Sequence, residues 1–418
     1  MKYYLVGIKG TGMSSLACYL HDKGDTVIGS DCSNYYFTED ELVKRKIEIK
    51  QYCEDNITND YIYIIGLSID KENEEFRKIL ELDLEYYYYN EFIGTFIDKK
   101  IIAVSGTHGK TTTAHIMKEI SELSYIIGCG NGKYNNSDYL ILEACEYKNH
   151  FYSYAPELLV VLNMELDHPD FFKSKKDLLS SFQGMCDRSK KVLINGDDSL
   201  TNSLIHPHLY TFGFSDTCDF VIKVIKESSS GYSFLLKGNG LCRFLRCNLV
   251  GIHNLYNYVG AYLSCILLEL EIKHYINVSL PKRRMSKYIY GKCVLIDDYA
   301  HHPTEIKALY TSLKTLYPDY KINCIFQSHT YSRTLQYKKK FKEVLKMFND
   351  VYLLDVFSSA REKEEEILQR KIDRYFRRFK KYHKNVLNEI DKEQYEVWVF
   401  LGAGRCNEIL EEFKNNHF

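Results

Sequence analysis

The chain has 418 residues, which at about 150 residues per domain predicts roughly three domains. Lysine and arginine number 55 and aspartate and glutamate 56, so a net charge of −1 argues against a broad surface for nucleic acid. Hydrophobic residues make up 45%, too many for a disordered chain. The 13 cysteines form no CxxC pair and no window approaches about 18 apolar residues, so we expect a cytoplasmic protein with reduced thiols and no membrane span.

The first part of the chain alternates short apolar segments with a helical pattern. Strands are predicted at Tyr3–Val6, Thr26–Gly29 and Tyr61–Ile65, with a helix at Met13–His21. This alternation is typical of a parallel sheet. The pattern restarts twice, which divides the chain into units at residues 1–98, 99–278 and 279–418.

A glycine-rich turn, GIKGTG at residues 7–12, follows the first predicted strand. Its spacing is GxxGxG, whereas the dinucleotide-binding turn is GxGxxG. We therefore favour a Rossmann-like turn that holds another phosphate-bearing ligand. The alternative is a nicotinamide-dependent oxidoreductase in which Asp31, after the second strand, binds a ribose.

The strongest local signal is SGTHGKTTT at residues 105–113. A strand leads into Gly106 and Gly109, and Lys110 and Thr111 then open a helix. Backbone N–H groups at such a turn suit phosphate oxygens, the lysine adds charge for the terminal phosphates, and a threonine hydroxyl can reach Mg²⁺. The motif is not a strict Walker A, because the first glycine of that pattern is missing.

Acidic residues and a histidine follow two further strands of the central unit. Glu143 and Glu146 come after the strand Tyr139–Leu142, and His168 comes after Leu158–Asn163. The carboxyl ends of parallel strands meet at one edge of a sheet, beside the glycine loop. These side chains are therefore candidates to hold a hard cation.

The third unit carries the segments DDYAHHP and FQSHTYSR, each after a predicted strand. They place His301, His302, His329 and Arg333 at one end of a sheet, where open α/β folds bind ligands. The charged segment Arg361–Lys384 has apolar side chains at helical spacing. That spacing favours a solvated amphipathic helix over a nucleic-acid patch.

Eight segments, in their order and approximate spacing, resemble the Mur ligase family. They are GIKGTGMSSLA, SGTHGKTTT, LEACEY, NMELDHPDF, GIHNLYN, DDYAHHPTEI, FQSHTYSRT and LGAG. The resemblance covers nearly the whole chain, and SGTHGKTT with DDYAHHPTE is specific for the branch that acts on muramic acid. It implies an α/β protein of three domains: a Rossmann-like N-terminal domain, a central P-loop-type ATPase domain and a Rossmann-like C-terminal domain.

The resemblance implies an ATP-dependent ligase of peptidoglycan precursor synthesis. ATP would phosphorylate the lactyl carboxylate of UDP-N-acetylmuramate to an acyl phosphate. The amine of L-alanine would then displace phosphate and form an amide. Because an anionic carboxylate must approach an anionic phosphate, cations in a dry cleft are the main requirement. We expect a monomer or homodimer.

The resemblance also assigns roles to residues. It places ATP against Gly106, Thr107, His108, Gly109, Lys110, Thr111, Thr112, Asn254, Arg284 and Asp298, and Mg²⁺ against Thr111, Glu143 and His168. It places the substrates against Gly10, Gly12, Met13 and Ser14 at the UDP diphosphate, against Tyr299, His301, His329 and Arg333 at the amino acid, and against Glu146. The implied catalytic set is Lys110, Glu143, His168 and Arg284.

The chain departs from the family pattern at a few positions. Cys145 stands where the family usually has aspartate, and Ser328 and Thr330 replace a proline and an arginine. A hydroxyl does not replace a guanidinium fork that binds a carboxylate. A recycling ligase that joins UDP-N-acetylmuramate to a preformed murein peptide is therefore the close alternative.

Overall fold

The computed structural model describes residues 1–273, 277–358 and 365–417. Three sheets of five, ten and six strands follow one another along the chain, and parallel pairing dominates all three. Helices connect the parallel strands and cover the sheets. The α/β fold class with three units is therefore confirmed, whereas the unit boundaries at 98/99 and 278/279 stay predictions.

The N-terminal unit is a parallel sheet with the strand order β3-β2-β1-β4-β5. After its first residue, β1 is buried on both faces, as expected where crossover helices cover a parallel sheet. The elements are β1 Lys2–Val6, α1 Thr11–Asp22, β2 Thr26–Asp31, α2 Glu39–Lys44, β3 Glu48–Gln51, β4 Ile62–Ile65, α3 Glu74–Glu81, β5 Tyr86–Tyr88 and α4 Tyr89–Phe96.

The central unit places β6 between β9 and β10, and all three strands run parallel. Their carboxyl ends bring three polar loops to one edge of the sheet. The elements are β6 Lys100–Ser105, α5 Lys110–Ile120, β7 Ser124–Ile127, β8 Asn131–Lys133, β9 Tyr139–Glu143, β10 Leu158–Val161, α6 Lys175–Cys186, β11 Lys191–Asn195, β12 Leu209–Gly213, β13 Phe220–Ser228, β14 Gly231–Gly238, β15 Leu241–Cys247 and α7 Ile252–Leu267.

The C-terminal unit has the strand order β16-β17-β21-β18-β19-β20, with only β16 antiparallel to its neighbour. The elements are β16 Ser286–Tyr290, β17 Cys293–Asp298, α8 Pro303–Leu316, β18 Lys321–Phe326, α9 Tyr331–Gln336, α10 Lys338–Leu345, β19 Val351–Leu353, α11 Glu366–Phe376, β20 Lys380–Lys381, β21 Glu396–Leu401 and α12 Cys406–His417. No described helix is long and apolar enough to cross a membrane.

Most predicted elements are present, with shifted ends. The helix after the central glycine loop begins at Lys110, as predicted, and β1 begins one residue before the predicted strand Tyr3–Val6. The polar edge strand β3 was not predicted, because its sequence EIKQ lacks an apolar run. The predicted amphipathic helix contains α11, and residues 361–364 of that segment lie outside the described residues.

The two interfaces of the central unit differ in chemistry. Toward the N-terminal unit one apolar core is continuous, and Leu16 and Ile93 belong to the same cluster as Ile126. Toward the C-terminal unit the apolar cores are separate, and ion pairs such as Arg333–Asp167 cross the boundary. Polar interfaces between domains separate more readily than apolar ones. The C-terminal unit is therefore the part suited to opening and closing over the site.

Candidate active site

The central glycine loop, residues 106–109, joins β6 to α5. Gly106 and Gly109 have φ angles of 124° and 85°, which side-chain-bearing residues rarely adopt. A Cβ on Gly109 would also lie 2.4 Å from Asn257 Oδ1, so only glycine fits there. This turn directs backbone N–H groups at the start of α5 toward the cleft, an arrangement that binds anions.

Lys110 opens α5 and lies almost buried beside the loop. Its Nζ donates to Gly106 O at 2.5 Å and to Glu146 Oε2 at 3.1 Å. Burial lowers the pKa of Lys110, but the charges of Glu146, Cys145 and Glu143 outweigh burial and raise it. The ammonium is therefore held charged at the mouth of the loop, ready to meet an anion.

Thr111 and Glu143 form a pair of oxygen donors next to the loop. The Thr111 hydroxyl donates to Glu143 Oε1 at 3.0 Å, and Gly128 N donates to Glu143 Oε2 at 2.9 Å. His168 lines the same cleft. Its backbone φ of 53° lies in the left-handed region, which is uncommon for a residue other than glycine. A hydroxyl and a carboxylate are ligands that Mg²⁺ prefers, so the donor set fits that ion.

His108, the third residue of the loop, lies between two carboxylates. Its Nε2 is 3.4 Å from Glu165 Oε2 and its Nδ1 is 3.2 Å from Glu305 Oε1. Burial lowers the pKa of His108, but the two carboxylates outweigh it and raise the pKa to about 9. Because Glu305 belongs to the C-terminal unit, this histidine joins the loop to that unit.

A second ion pair crosses the same boundary, beside the residues that the resemblance assigns to the amino acid. Arg333 donates from Nε and Nη2 to the two oxygens of Asp167, at 2.9 and 3.0 Å, and its Nη1 is 2.9 Å from His329 Nδ1. Asp167 is buried, yet Arg333 holds the pKa of its carboxyl well below the usual value. Burial lowers the pKa of His301 to about 4, against the pull of Glu305.

Three further residues that the resemblance assigns to ATP come from two units. Asn254 lies in the first turn of α7, where its Nδ2 donates to Val250 O at 2.8 Å. Asp298 ends β17 and accepts N–H groups of Met285 at 2.7 Å and Ala300 at 2.8 Å. Arg284 comes from the C-terminal unit and lies over the Tyr299 ring at 5.4 Å.

Two adjoining clefts bring most of the predicted site residues together. One is lined by Thr107, His108, Gly109, Lys110, Thr111, Glu143, His168, Arg284, Tyr299, His301, His329 and Arg333. The other adds Thr112, Asn254 and Asp298 and shares His108, Gly109 and Arg284. Outside both linings, as the structure describes them, are Gly106, Glu146, Gly10, Gly12, Met13 and Ser14.

The N-terminal glycine turn, residues 7–10, opens α1 near the same cleft. Its neighbour Thr11 lines the cleft, whereas Met13 and Ser14 are buried. The Ser14 hydroxyl donates back to Gly10 O at 3.0 Å, and a Cβ on Gly12 would lie 2.8 Å from the Tyr89 ring. The structure therefore brings Thr11, rather than Met13 or Ser14, to the cleft surface.

Asp31 supports the N-terminal turn itself. Its two carboxylate oxygens accept the N–H groups of Lys9 and Cys32, both at 2.8 Å. A ribose-binding acid of a dinucleotide site needs its oxygens turned toward the ligand. This geometry speaks against the oxidoreductase alternative.

Sequence reasoning missed the acids that join the central and C-terminal units. Glu165 accepts from Thr304 Oγ1 at 2.6 Å and lies 3.3 Å from Lys340 Nζ. Glu305 stands at the third position of α8 and accepts the backbone N–H of His302 at 3.1 Å, a capping box. The sequence HPTE signalled the capping box, but no local pattern indicated that Glu165 faces another unit.

Comparison with known proteins gives one consistent result. Family models match in chain order: the Mur ligase family catalytic domain over residues 2–101, the middle domain over 104–265 and the glutamate ligase domain over 283–406. Proteins named UDP-N-acetylmuramate–L-alanine ligase are 36% identical, one from Lactobacillus acidophilus over 98% of both chains and one from Pediococcus pentosaceus over 99% of this chain and 98% of its own.

Solved structures share the fold along the whole chain. The UDP-N-acetylmuramate–alanine ligase of Thermotoga maritima superposes with a TM-score of 0.81 at 22% identity, over 100% of this chain and 99% of its own. A murein peptide ligase of Psychrobacter arcticus gives 0.75 at 18% identity, over 99% and 98%. With full-length relatives and three domain matches in order, the chain belongs to the Mur ligase family.

Proposed function

We propose that this chain is an ATP-dependent ligase that joins the lactyl carboxylate of UDP-N-acetylmuramate to L-alanine. The observation that carries the proposal is the single cleft shared by Lys110, Glu143, His168 and Arg284. The proposal is also supported by the 36% identity, over 98% of the chain, to a UDP-N-acetylmuramate–L-alanine ligase. A cytoplasmic location and a monomeric or homodimeric state go with this proposal and stay predictions.

The adenosine of ATP fits the cleft that carries Asn254 and Asp298. The triphosphate would then run along the central glycine loop, where the N–H groups at the start of α5 and the Lys110 ammonium meet its oxygens; the N–H groups of Thr107 and His108 already donate to Asn163. Lys110 would exchange its contact with Glu146 for the terminal phosphates. Arg284 lines both clefts and so can reach the γ-phosphate from the C-terminal side.

The Mg²⁺ bound to ATP would be held by Thr111 and Glu143, and a second Mg²⁺, near the acyl phosphate, by His168, which lines the same cleft. When bound, the ion neutralises phosphate charge and aligns the phosphoryl group for transfer. The residues themselves supply the hard oxygen donors that this ion requires.

The chemical difficulty is the approach of a carboxylate to a phosphate of the same charge. Lys110 and Arg284 place two cations at that point, and they come from different units. In a cleft from which water is excluded such charges act far more strongly than in bulk water. Closure of the C-terminal unit over the polar boundary would therefore complete the site and limit wasteful hydrolysis.

The acceptor amine would enter beside Tyr299, His301, His329 and Arg333. The guanidinium of Arg333 is already held by both oxygens of Asp167. Thr330 stands in place of an arginine, so position 330 supplies no second guanidinium to bind the carboxylate of a single amino acid. That observation favours a preformed peptide as the second candidate acceptor.

The UDP diphosphate would lie at the N-terminal turn. Thr11 is the turn residue at the cleft surface, with Gly10, Gly12, Met13 and Ser14 shaping the start of α1 behind it. The three units would thus divide the ligands as UDP-sugar, ATP and acceptor. Phe37 of the N-terminal unit lines the same cleft as His301 of the C-terminal unit, so the substrates can meet there.

A substrate-pair assay tests the proposal. The full chain is incubated with ATP, Mg²⁺ and UDP-N-acetylmuramate, with either L-alanine or the murein tripeptide, and phosphate release and the amide product are measured. We expect turnover with L-alanine. Turnover with the tripeptide alone would establish the second candidate, and turnover with neither would overturn both.

A further inference from the structure

Three side chains from two units converge at the wall of the cleft. Glu165 Oε2 lies 3.4 Å from His108 Nε2 and 3.6 Å from His302 Nδ1, and the three donor atoms all lie within 4.8 Å of one another. A tetrahedral ion with ligands at about 2.1 Å sets neighbouring donors about 3.4 Å apart. Both distances to Glu165 match that spacing.

The groups behind two of these donors, His108 and Glu165, hold them as metal ligands are held. The other nitrogen of His108, Nδ1, lies 3.2 Å from Glu305 Oε1. A carboxylate on the far nitrogen of a histidine fixes the ring and strengthens the near nitrogen as a ligand. Glu165 is fixed as well, by the Thr304 hydroxyl at 2.6 Å and by Lys340 at 3.3 Å.

His302 is rigidly placed. Its ring is fully buried and packs at 4.9 Å against the edge of Tyr337. Its Nδ1 caps α8 through the Thr304 N–H at 3.4 Å, a long and weak hydrogen bond. Because an imidazole nitrogen has one lone pair, a metal ion at Nδ1 would replace this weak cap, and Nε2, which is buried without a hydrogen-bond partner among the described residues, would carry the ring proton.

We propose that His108, Glu165 and His302 bind a divalent transition metal, Zn²⁺ or Co²⁺, at the boundary of the central and C-terminal units. Two imidazoles and one carboxylate with a further position for water are the donor set of such ions, and Mg²⁺ prefers oxygen ligands. The set shares no residue with Thr111, Glu143 and His168. The proposal does not depend on the proposed function.

The consequence follows from where the donors originate. His108 and Glu165 belong to the central unit and His302 to the C-terminal unit, so a bound ion links the two. The ion would hold the closed arrangement and resist the opening that ligand exchange requires. Because the ligands must be deprotonated, metal binding releases protons and strengthens as pH rises.

The first experiment titrates Co²⁺ into the full chain after chelator treatment and dialysis. We expect the visible absorption of tetrahedral Co²⁺ to saturate at one equivalent and to be displaced by Zn²⁺. A large excess of Mg²⁺ should leave it in place. One equivalent of Zn²⁺ should also raise the melting temperature, since a ligand of the folded state stabilises it.

Variants assign the ligands. His302→Asn keeps a side-chain cap for α8 and removes the imidazole, and we expect Co²⁺ binding to weaken at least about tenfold. Glu305→Gln removes the charge behind His108 and should weaken binding by about tenfold. The control is His206→Asn. It removes a histidine outside the cluster, whose ring centroid lies 6.1 Å from that of His208, and it should leave the Co²⁺ affinity unchanged.

Several results would overturn the proposal. A visible spectrum that stays that of free aqueous Co²⁺ throughout the titration would show that the cluster is an ion pair that binds no metal. Equal Co²⁺ affinity in His302→Asn and the parent chain would place the ion elsewhere, and so would equal loss in His206→Asn. If His302→Asn does not fold, Glu165→Gln decides in the same titration, with the same tenfold loss expected.

Discussion

Two glycine turns of this molecule share one frame, a strand followed by a GxxG segment and a helix, but their side chains differ in chemistry. Each follows the first strand of a parallel sheet and precedes a helix, as GIKG at residues 7–10 and as GTHG at residues 106–109. The first glycine of each has a positive φ, 82° at Gly7 and 124° at Gly106. The frame thus serves to turn the chain sharply from a buried strand into a helix.

The difference begins at the fourth residue of the frame. Gly109 is left-handed, with a φ of 85°, whereas Gly10 has a φ of −56° that any residue can adopt. The next residue opens the helix and is Lys110 in one case and Thr11 in the other. Only the central loop therefore combines a left-handed turn with a cation at the helix start.

The cations of the two turns also have different tasks. Lys9, in the third position of the N-terminal turn, donates to Cys32 O and Asn34 O, both at 2.9 Å, and pairs with Glu39 at 3.1 Å. Those partners belong to the fold and hold the loop after β2. Lys110 instead lines a cleft. The comparison teaches that spacing predicts the turn, while the side chain that opens the helix decides whether a cation or a hydroxyl faces the cleft.

The largest effect should come from Lys110→Ala. Loss of a fixed charge at developing phosphate charge costs about 10²- to 10³-fold in kcat. The equivalent change in the other turn, Thr11→Ala, should act on the KM for the UDP-sugar and leave kcat within a few-fold. Steady-state phosphate release measures both.

The control for this prediction is Lys118→Ala, on the same helix and outside both clefts as described. It should keep kcat close to that of the parent chain. If Lys110→Ala retains full ATP-dependent phosphate release, the assignment of the central loop to phosphate is wrong, and the contrast between the two turns disappears.

Lys9→Met should have a smaller effect, on stability instead of catalysis. The substitution leaves two carbonyls and the Glu39 carboxylate without their buried cation, at a cost of about 2 kcal/mol in unfolding free energy. Urea denaturation measures it. Lys23→Met, at an exposed lysine 3.9 Å from Asp25, is the control and should change stability by less than about 0.5 kcal/mol. A catalytic loss in Lys9→Met without a loss of stability would contradict a structural role.

Much of the site could be predicted from the sequence because its residues follow strands of one sheet. Glu143 ends β9 and His168 follows β10, on either side of β6, so chain order and parallel pairing were enough to place both at the central glycine loop. Arg284 and Asp298 were assigned from resemblance, and the structure brings them to the same clefts.

The remainder depends on packing between units, which a local pattern does not encode. Glu165 reads as an ordinary loop acid, yet it meets Thr304 and Lys340 of the C-terminal unit. Ser14 reads as a diphosphate contact, yet it is buried and its hydroxyl donates to Gly10 O four residues earlier. Packing between units decided the position of Glu165, and a side-chain bond to the helix backbone decided that of Ser14.

The smallest effect is expected from Gly10→Ala, when the two glycines that end the frames are compared. Gly109→Ala puts a side chain at a φ of 85° and 2.4 Å from Asn257 Oδ1, so we expect a loss of about 1–3 kcal/mol in stability together with weaker ATP binding. In Gly10→Ala the nearest atom to the new Cβ is Gly7 O at 3.3 Å, Met13 lies at ordinary contact distance, and the φ is an ordinary −56°, so the substitution should cost less than about 1 kcal/mol. Thermal unfolding and calorimetric titration with ATP compare the pair. Only the central turn requires a left-handed residue, Gly109, before the N–H groups at the start of its helix. Equal losses of stability in the two variants would therefore contradict the difference between the two turns.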